Sequence, residues 1–464
     1  MATVKIDELS AISLFSGALG LDLGLEEAGF TVKVAVESNK SAAETIRKNR
    51  PKIHLIERNI EMVTTAEILT AAGLKPGEPA LIAGGPSCQS FSTAGQRASI
   101  DDPRGTLFRH FLRVVREARP RFFVMENVRG ILSAAIKHRP LNKRGPGFST
   151  LKPEEELGSA FNSILAALRE LDYYITFNVL NAADYGVPQT RERLLFIGSR
   201  DGEAIEMPLP THSRKAAGGG ARWVTVRKAL RGLSDPEPEI KTIASRWRKY
   251  LAHIPAGGCW RDLPTRLRAK AMGKAYKSWG GRKGFFRRLD WDSPAPALTT
   301  RPESKATMCC HPSELRTFSV REYARLQQFP DGWQFAGALQ HKYMQIGNAV
   351  PVGLAKATGL SIQLAILKGK KKVNKPGIFC ASEDLLHRIL RGSKTRLNPP
   401  RMRRYKSMIA VKAWAARNKG PTQRLNILKH LVNKVDLKVL FLSRRKKKDA
   451  AKKPEVRLVV ALLK

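Results

Sequence analysis

The chain has 464 residues, 82 Lys and Arg against 40 Asp and Glu, and a formal net charge of +42, far beyond what solubility asks for, so a polyanion, nucleic acid first, is the expected partner. Its 42% hydrophobic content fits a globular protein, and its length predicts two or three folded units. The start MATVKIDELS has no apolar h-region, no run of about 18 apolar residues occurs, and Cys88, Cys259, Cys309, Cys310 and Cys380 form no C-x-x-C pair; secretion, membrane spanning, a zinc ribbon and a disulfide framework are all disfavoured.

From Ala11 to about Gly198 short apolar runs alternate with helical stretches, which predicts an α/β unit with a largely parallel sheet. AISLF (11–15), VKVAVE (32–37), ALIAGG (80–85), RFFVMEN (121–127) and RLLFIGS (193–199) read as strands. LDLGLEEAG (21–29) reads as an amphipathic helix, and helical periodicity marks 41–49, 106–118 and 159–171. Between about 200 and 300 glycine, proline, tryptophan and basic residues dominate, with about 20 Lys/Arg against about 9 Asp/Glu. This segment reads as a second, smaller domain that touches nucleic acid, or else as a solvated basic insertion. Helical periodicity returns in VREYARLQQF (320–329) and in 351–367, and GKKKVNKPG then looks like a boundary. Residues 368–464 hold 29 Lys/Arg against 5 Asp/Glu, more than half of the net charge; short basic helices are expected there, with SRRKKKDAAKKPE as a spacer.

Four stretches carry candidate chemistry. In ISLFSGALGLDLG a strand runs through a small-residue turn into a helix, which brings backbone close to a nucleotide-like cofactor, and Glu37 follows at the end of the next strand, where a carboxylate can take both ribose hydroxyls. The turn is not G-x-G-x-x-G, so a dinucleotide is not favoured. In GGPSCQSFS the thiol of Cys88 sits after a strand between glycines and small hydroxyls; a cysteine so placed is either a small core residue or a nucleophile under a mobile loop. In MENV, Glu126 at a strand end is able to hold and donate a proton, or simply to cap the next helix. In QTRER, Arg191 and Arg193 alternate onto one face, with forks suited to a base carbonyl or a carboxylate, or stand as surface arginines.

Taken together and in order, LFSGALGLDLGLEEAGF, VESN, GGPSCQSFSTAGQR, MENV, QTRERLLFIG, REYARLQQFPD and IGNAVP resemble the cytosine-5 DNA methyltransferases over roughly residues 10 to 367. The resemblance implies a Rossmann-like, S-adenosylmethionine-dependent methyltransferase fold with an inserted target-recognition domain and a basic, partly helical C-terminal extension. It places the catalytic and cofactor-binding domain at 1–200, the recognition region at 201–313, a return segment at 314–367 and the extension at 368–464. It implies that Cys88 adds to carbon 6 of a flipped cytosine while Glu126 protonates or hydrogen-bonds ring nitrogen 3, with Arg193 holding the base and Arg191 supporting the site. Residues from Ser90 to about Arg104 would close over the DNA. Phe15 would stack on adenine, Ser16, Gly17, Ala18 and Leu19 would line the methionine side, and Glu37 and Ser38 would meet the ribose. Asn59, Ile60, Pro86, Asn348 and Ala349 would complete the cofactor pocket. No metal site is read.

The chain departs from the family pattern at Leu19, where glycine is usual, at Asn59, where aspartate is usual, and at Ser87, where proline is usual. None of these removes a chemically required group. The expected partner is double-stranded DNA acted on by a cytoplasmic monomer, nucleoid-associated in a bacterium, with a cognate restriction endonuclease acting separately. The rivals are a transfer RNA cytosine-5 methyltransferase, which would have a shorter recognition region, and a non-catalytic DNA-binding protein of the same fold, which would have no reason to keep Cys88, Glu126, Arg191 and Arg193 together.

Overall fold

The computed structural model describes residues 9–86, 107–140, 144, 147–216, 220–277, 284–369, 376–382, 384–386 and 389, with the backbone of 439–441 and 458–460. Strand β1 (Ser10–Leu14) turns into α1 (Gly20–Glu27), followed by β2 (Thr31–Val36), α2 (Lys40–Asn49), β3 (His54–Ile56), α3 (Thr65–Ala72) and β4 (Leu81–Gly84). Next come α4 (Leu107–Ala118), β5 (Phe122–Val128), α5 (Ser159–Arg169), β6 (Tyr174–Asn181), β7 (Gln189–Thr190) and β8 (Glu192–Ser199). Local signals set the helix ends: Thr64 caps α3 by accepting from the Glu67 N–H, and Gly73 closes it in the left-handed conformation. In α4, Phe108, Phe111, Leu112 and Val115 recur on one face and are buried, the spacing that the 3.6-residue turn requires.

Among the described residues the central sheet has eight strands in the order β12 (Gly377–Cys380), β6, β8, β5, β4, β1, β2, β3. All neighbours are parallel except β8, which runs antiparallel to both β5 and β6. Residues alternate between two cores, as the pleat demands: Ile12, Leu14, Ile82, Phe123 and Met125 face α4 and α5, whereas Ala11, Leu81, Ala83, Phe122 and Val124 face α1 and the C-terminal helix.

The inserted region contains β9 (His212–Ser213), β10 (Ala221–Arg222), α6 (Val226–Leu230), α7 (Ser245–Leu251), α8 (Thr265–Met272) and β11 (Ala295–Pro296). It has a small core of its own, in which Phe286 takes the edges of Trp247 and Tyr250 and is packed by Leu251, Ile254, Trp260 and Met272. Residues toward both ends of this region also pack outside that small core. Ile205 and Met207 lie in the core under the sheet, and Leu289, Ala295, Leu298 and Phe318 share a cluster with Ala18, Leu19 and Leu23 of the β1–α1 connection.

The return segment supplies α9 (Val320–Leu326), α10 (Leu339–Asn348) and α11 (Val352–Lys368). Residues Leu339–Lys368 are long and apolar enough to cross a membrane by length and composition, although the sequence shows no continuous apolar run there, but 56% of the apolar 18-residue stretch within them is buried. It is also two helices, broken at Ala349–Pro351. The extension then contributes β12 (Gly377–Cys380), paired in parallel with β6 from Gly377↔Tyr174 to Cys380↔Phe177. Ile378, Cys380, Leu385 and Leu386 are buried in the main core. The backbone of β13 (Val439–Phe441) pairs antiparallel with β14 (Leu458–Val460), where basic helices were expected. The boundary at 367 therefore falls before a strand of the central sheet. Ending the chain after Leu367 should expose the β6 edge and lower the melting midpoint by several degrees, whereas ending it after Ile389 should not; thermal melts of the two truncations check this.

Candidate active site

Strand register brings the candidate residues to one rim of the sheet. Leu14 pairs with Val36 and with Gly84, and Gly84 with Met125, so Phe15, Glu37, Gly85 and Glu126, each one residue further on, stand side by side. Antiparallel β8 enters at this same rim, with Val128 opposite Arg193 and Glu126 opposite Leu195. Cys88, Ser87 and the segment from Ser90 to Arg104 lie outside the described residues, Cys88 two positions beyond Pro86, which is buried at the exit of β4. The four described cysteines carry free thiols. Burial raises Cys310 and Cys380 to about 11, which marks them as unreactive core thiols.

Glu126 and Arg193 form a buried ion pair, Arg193 Nε to Glu126 Oε1 at 2.6 Å. Burial raises the Glu126 carboxyl above the usual range, and the charges of Arg193 and then Arg191 oppose the rise. The result is a carboxyl that can be protonated under milder conditions than an exposed glutamate while staying oriented by its partner. Gly85 keeps the space in front of it open: a Cβ there would sit 2.8 Å from Glu126 Oε2. Gly85→Ala should therefore swing the carboxylate off Arg193 and lower kcat on the order of 10²-fold without unfolding the protein, as read by single-turnover rates beside a thermal melt.

Arg191 is not a surface arginine. It is 2% exposed, and its guanidinium donates to the carbonyls of Leu298 (2.9 Å) and Gly347 (2.6 Å) and to Gln189 Oε1 (3.4 Å). One side chain thus joins the strand that carries Arg193 to the recognition region and to the end of α10. Gln189 and Gln327 extend this junction. Leu298 N–H donates to Gln189 Oε1, Gln189 Nε2 to Gln327 Oε1, and Gln327 Nε2 to the Ile346 carbonyl, all at 2.7–2.9 Å. Neither glutamine was singled out from the sequence, because neither QTRER nor LQQF carries a local sign that its first glutamine is buried.

On the other side of the rim, the β1–α1 turn and Glu37 form a cradle. The Gly17 N–H donates to Glu37 Oε2 and the Asn39 N–H to Oε1, each at 2.7 Å. Each carboxylate oxygen retains an acceptor position, so the pair is oriented for a vicinal diol. Beside it Phe15 is half-buried, Ser38 exposed, and a Cβ at Gly17 would meet nothing within 4 Å. Asn59 is exposed and caps the short turn Ile60–Met62 by accepting from the Glu61 N–H at 3.3 Å, and Ile60 is buried beneath it. The cradle suits a nucleoside with an attached amino acid, which is the shape of S-adenosylmethionine.

Leu19 stands in the left-handed region, φ 66°, as the residue before α1. A non-glycine residue there costs about 1–2 kcal/mol. Its side chain is 1% exposed in the cluster with Leu23 and Ile46, and burial of a leucine is worth about 2.7–5 kcal/mol against truncation. Packing outweighs strain, which accounts for leucine at this position. Ala18 is buried in the same cluster, and Ser16 accepts from Ser13 Oγ at 2.8 Å.

The distant motif IGNAVP reaches this cradle through glycine contacts. A Cβ on Gly20 would lie 2.6 Å from the Val350 carbonyl and 3.0 Å from Ala349 Cβ, and one on Gly24 would lie 2.3 Å from the Val352 carbonyl. Only two glycines one helical turn apart let α1 lie directly on residues 349–355. Exposed Asn348 and half-buried Ala349 are thereby held at the mouth of the β1–α1 turn.

The family model for C-5 cytosine-specific DNA methylase matches residues 9–364. The chain belongs to that family. Its chemistry is accordingly that of a cytosine carbon 5 methyltransferase on a Rossmann-like fold. It is 38% identical to the Type II methyltransferase M.Sau96I of Staphylococcus aureus over 77% of this chain and 76% of that one. It is 38% identical to the Type II methyltransferase M.PspPI of Psychrobacter over 78% and 80% of the two chains, and 36% to M.Eco47II of Escherichia coli over 76% and 78%. Among solved structures it resembles a DNA modification methyltransferase encoded within an E. coli prophage, at TM-score 0.52 and 26% identity over 78% of this chain and 100% of that one. The Entamoeba histolytica methyltransferase EhMeth shares the fold, at TM-score 0.52 and 15% identity over 77% and 99% of the two chains.

Proposed function

We propose that the protein is a DNA (cytosine-5)-methyltransferase that modifies a cytosine turned out of a specific duplex sequence, as the modification partner of a restriction system, in the cytoplasm. The observation that carries this reading is the buried Glu126–Arg193 pair beside the exit of β4 that leads to Cys88, with the Glu37 cradle on the same rim. S-adenosylmethionine, held by Phe15, Glu37 and the turn from Ser16 to Leu19, would supply an electrophilic methyl group. The Cys88 thiolate adds to carbon 6 of the base, and the π electron pair of the carbon 5–carbon 6 bond moves to carbon 5 and, by conjugation, toward ring nitrogen 3, so that carbon 5 would form the new bond to the methyl group with S-adenosylhomocysteine as the leaving group. Glu126 holds the proton at ring nitrogen 3 as that charge develops, and Arg193 keeps the carboxyl aimed at it. Once carbon 5 has lost its proton to a base, the carbon–sulfur bond breaks and Cys88 is regenerated. The methyl donor is tested by incubating the protein with tritiated S-adenosylmethionine and either duplex DNA or transfer RNA. Label in DNA is expected; label confined to transfer RNA, or none, would contradict the reading.

The extension beyond Ile389 has 23 Lys/Arg against 3 Asp/Glu. It adds nonspecific phosphate contacts. Ending the chain after Ile389 should make the dependence of log K for DNA on log salt shallower, with an unchanged slope as the contrary result.

A further inference from the structure

Asp22 lies in the first turn of α1, directly behind the cofactor turn, and is 1% exposed. Among the described residues neither of its carboxylate oxygens has a hydrogen-bond partner of full geometry, and the Ser13 hydroxyl lies close enough to act on the carboxyl. A carboxylate left so would be among the costliest groups to bury, unless it holds a proton. Burial raises its pKa to about 7; Ser13 pulls the value down and Glu26 pushes it up. The charges around it do little to favour ionisation. Glu26, on the same helix, is taken by Arg50 at 3.0 Å, Lys356 of α11 is paired with Glu27, and Glu37 is held by the Gly17 and Asn39 N–H groups.

Next to Asp22 two serines form a chain. Ser13 Oγ donates to Ser16 Oγ at 2.8 Å, and Ser16 Oγ in turn reaches the carbonyls of Ser13 (3.3 Å) and Val36 (3.4 Å). Each hydroxyl has one proton to give. With Ser13's proton committed to Ser16, Ser13 can accept from Asp22 but cannot donate to it. We propose that Asp22 is a positioning residue for the cofactor turn: as a neutral acid it donates to Ser13, Ser13 to Ser16 and Ser16 to backbone, a directional relay that fixes the conformation of Ser16–Leu19. When Asp22 loses its proton, Ser13 turns to the carboxylate and releases Ser16. No covalent step is involved; the relay sets cofactor affinity, and it rests on the cofactor reading given above.

The test measures binding of S-adenosylhomocysteine by calorimetry from pH 6 to 9, together with melting curves from pH 4 to 9, for wild type, Asp22→Asn and Ser13→Ala. The amide introduced by Asp22→Asn would donate as the neutral acid does and cannot ionise. Wild type should lose about tenfold in affinity as pH rises through 7, the worth of one hydrogen bond. Asp22→Asn should keep the low-pH affinity throughout, and Ser13→Ala should bind weakly at every pH. For the melts, a raised folded pKa makes the folded state bind the extra proton between the unfolded value and about 7, so stability falls as pH rises across that window. Asp22→Asn should lack this fall. The inference is overturned if Asp22→Asn follows the wild-type pH course in binding or in melting. Should wild type bind no S-adenosylhomocysteine at any pH, the cofactor reading fails, and the melts alone then decide whether Asp22 is held neutral.

Discussion

Cys88→Ala should abolish methyl transfer to DNA, by on the order of 10⁴-fold or more, while leaving S-adenosylhomocysteine affinity and the melting midpoint unchanged. The expectation follows from the order of the rim. Cys88 comes two residues after Pro86, at the exit of β4, and β4 lies between β1, which leads into Phe15, and β5, which carries Glu126. The described end of β4 lies between the cofactor cradle and the proton-holding carboxyl, which is where the proposed reaction needs a thiol. Incubation with S-adenosylmethionine and duplex DNA carrying 5-fluorocytosine, which after methylation has no removable proton at carbon 5, should trap wild type as a covalent adduct and leave the alanine variant free.

Glu126→Gln should lower the single-turnover rate by about 10²–10³-fold and change its pH profile. In wild type the rate needs the Cys88 thiolate, whose population rises with pH, and the protonated form of Glu126, whose population falls as pH rises through its elevated value. A bell results. The amide cannot lose its proton, so the falling limb should disappear and the residual rate should climb with pH to a plateau. A profile that stays bell-shaped in the glutamine variant would remove Glu126 from the proton's path. Arg193→Ala should act through the same carboxyl, raising it further because the opposing charge 2.6 Å away is gone, and should move the falling limb to higher pH.

Much of this arrangement was legible before any coordinates. Strands β1, β2, β4, β5 and β8 are continuous apolar runs because the sheet is covered on both faces, and each matched its expected span to within a residue or two. Several candidate residues were legible for a related reason: Phe15, Glu37 and Glu126 lie at the C-terminal ends of parallel strands and Arg193 at the start of antiparallel β8, so reading strand ends amounts to reading the rim. Other elements left no such trace. His54–Ile56 is three residues long, Tyr174–Asn181 interleaves Thr176, Asn178 and Asn181 with its apolar positions, and Gly377–Cys380 follows a lysine-rich stretch that looked like a linker. The reversed direction of β8 was also hidden, since a strand buries the same side chains whichever way it runs. In the site, Asp22, Gln189 and Gln327 were missed because their importance lies in what surrounds them in space, and a surface position stayed open for Arg191 because alternation cannot show that Leu298 and Gly347 close over it.

The central claim is that the Cys88–Glu126 rim methylates cytosine in DNA. Bisulfite sequencing of genomic DNA from cells expressing this protein alone, beside cells expressing Cys88→Ala, tests it most directly. The account predicts protected cytosines at one recurring sequence in the first sample and none in the second. Cytosines that convert fully in both samples, or protection that persists in the alanine variant, would contradict it.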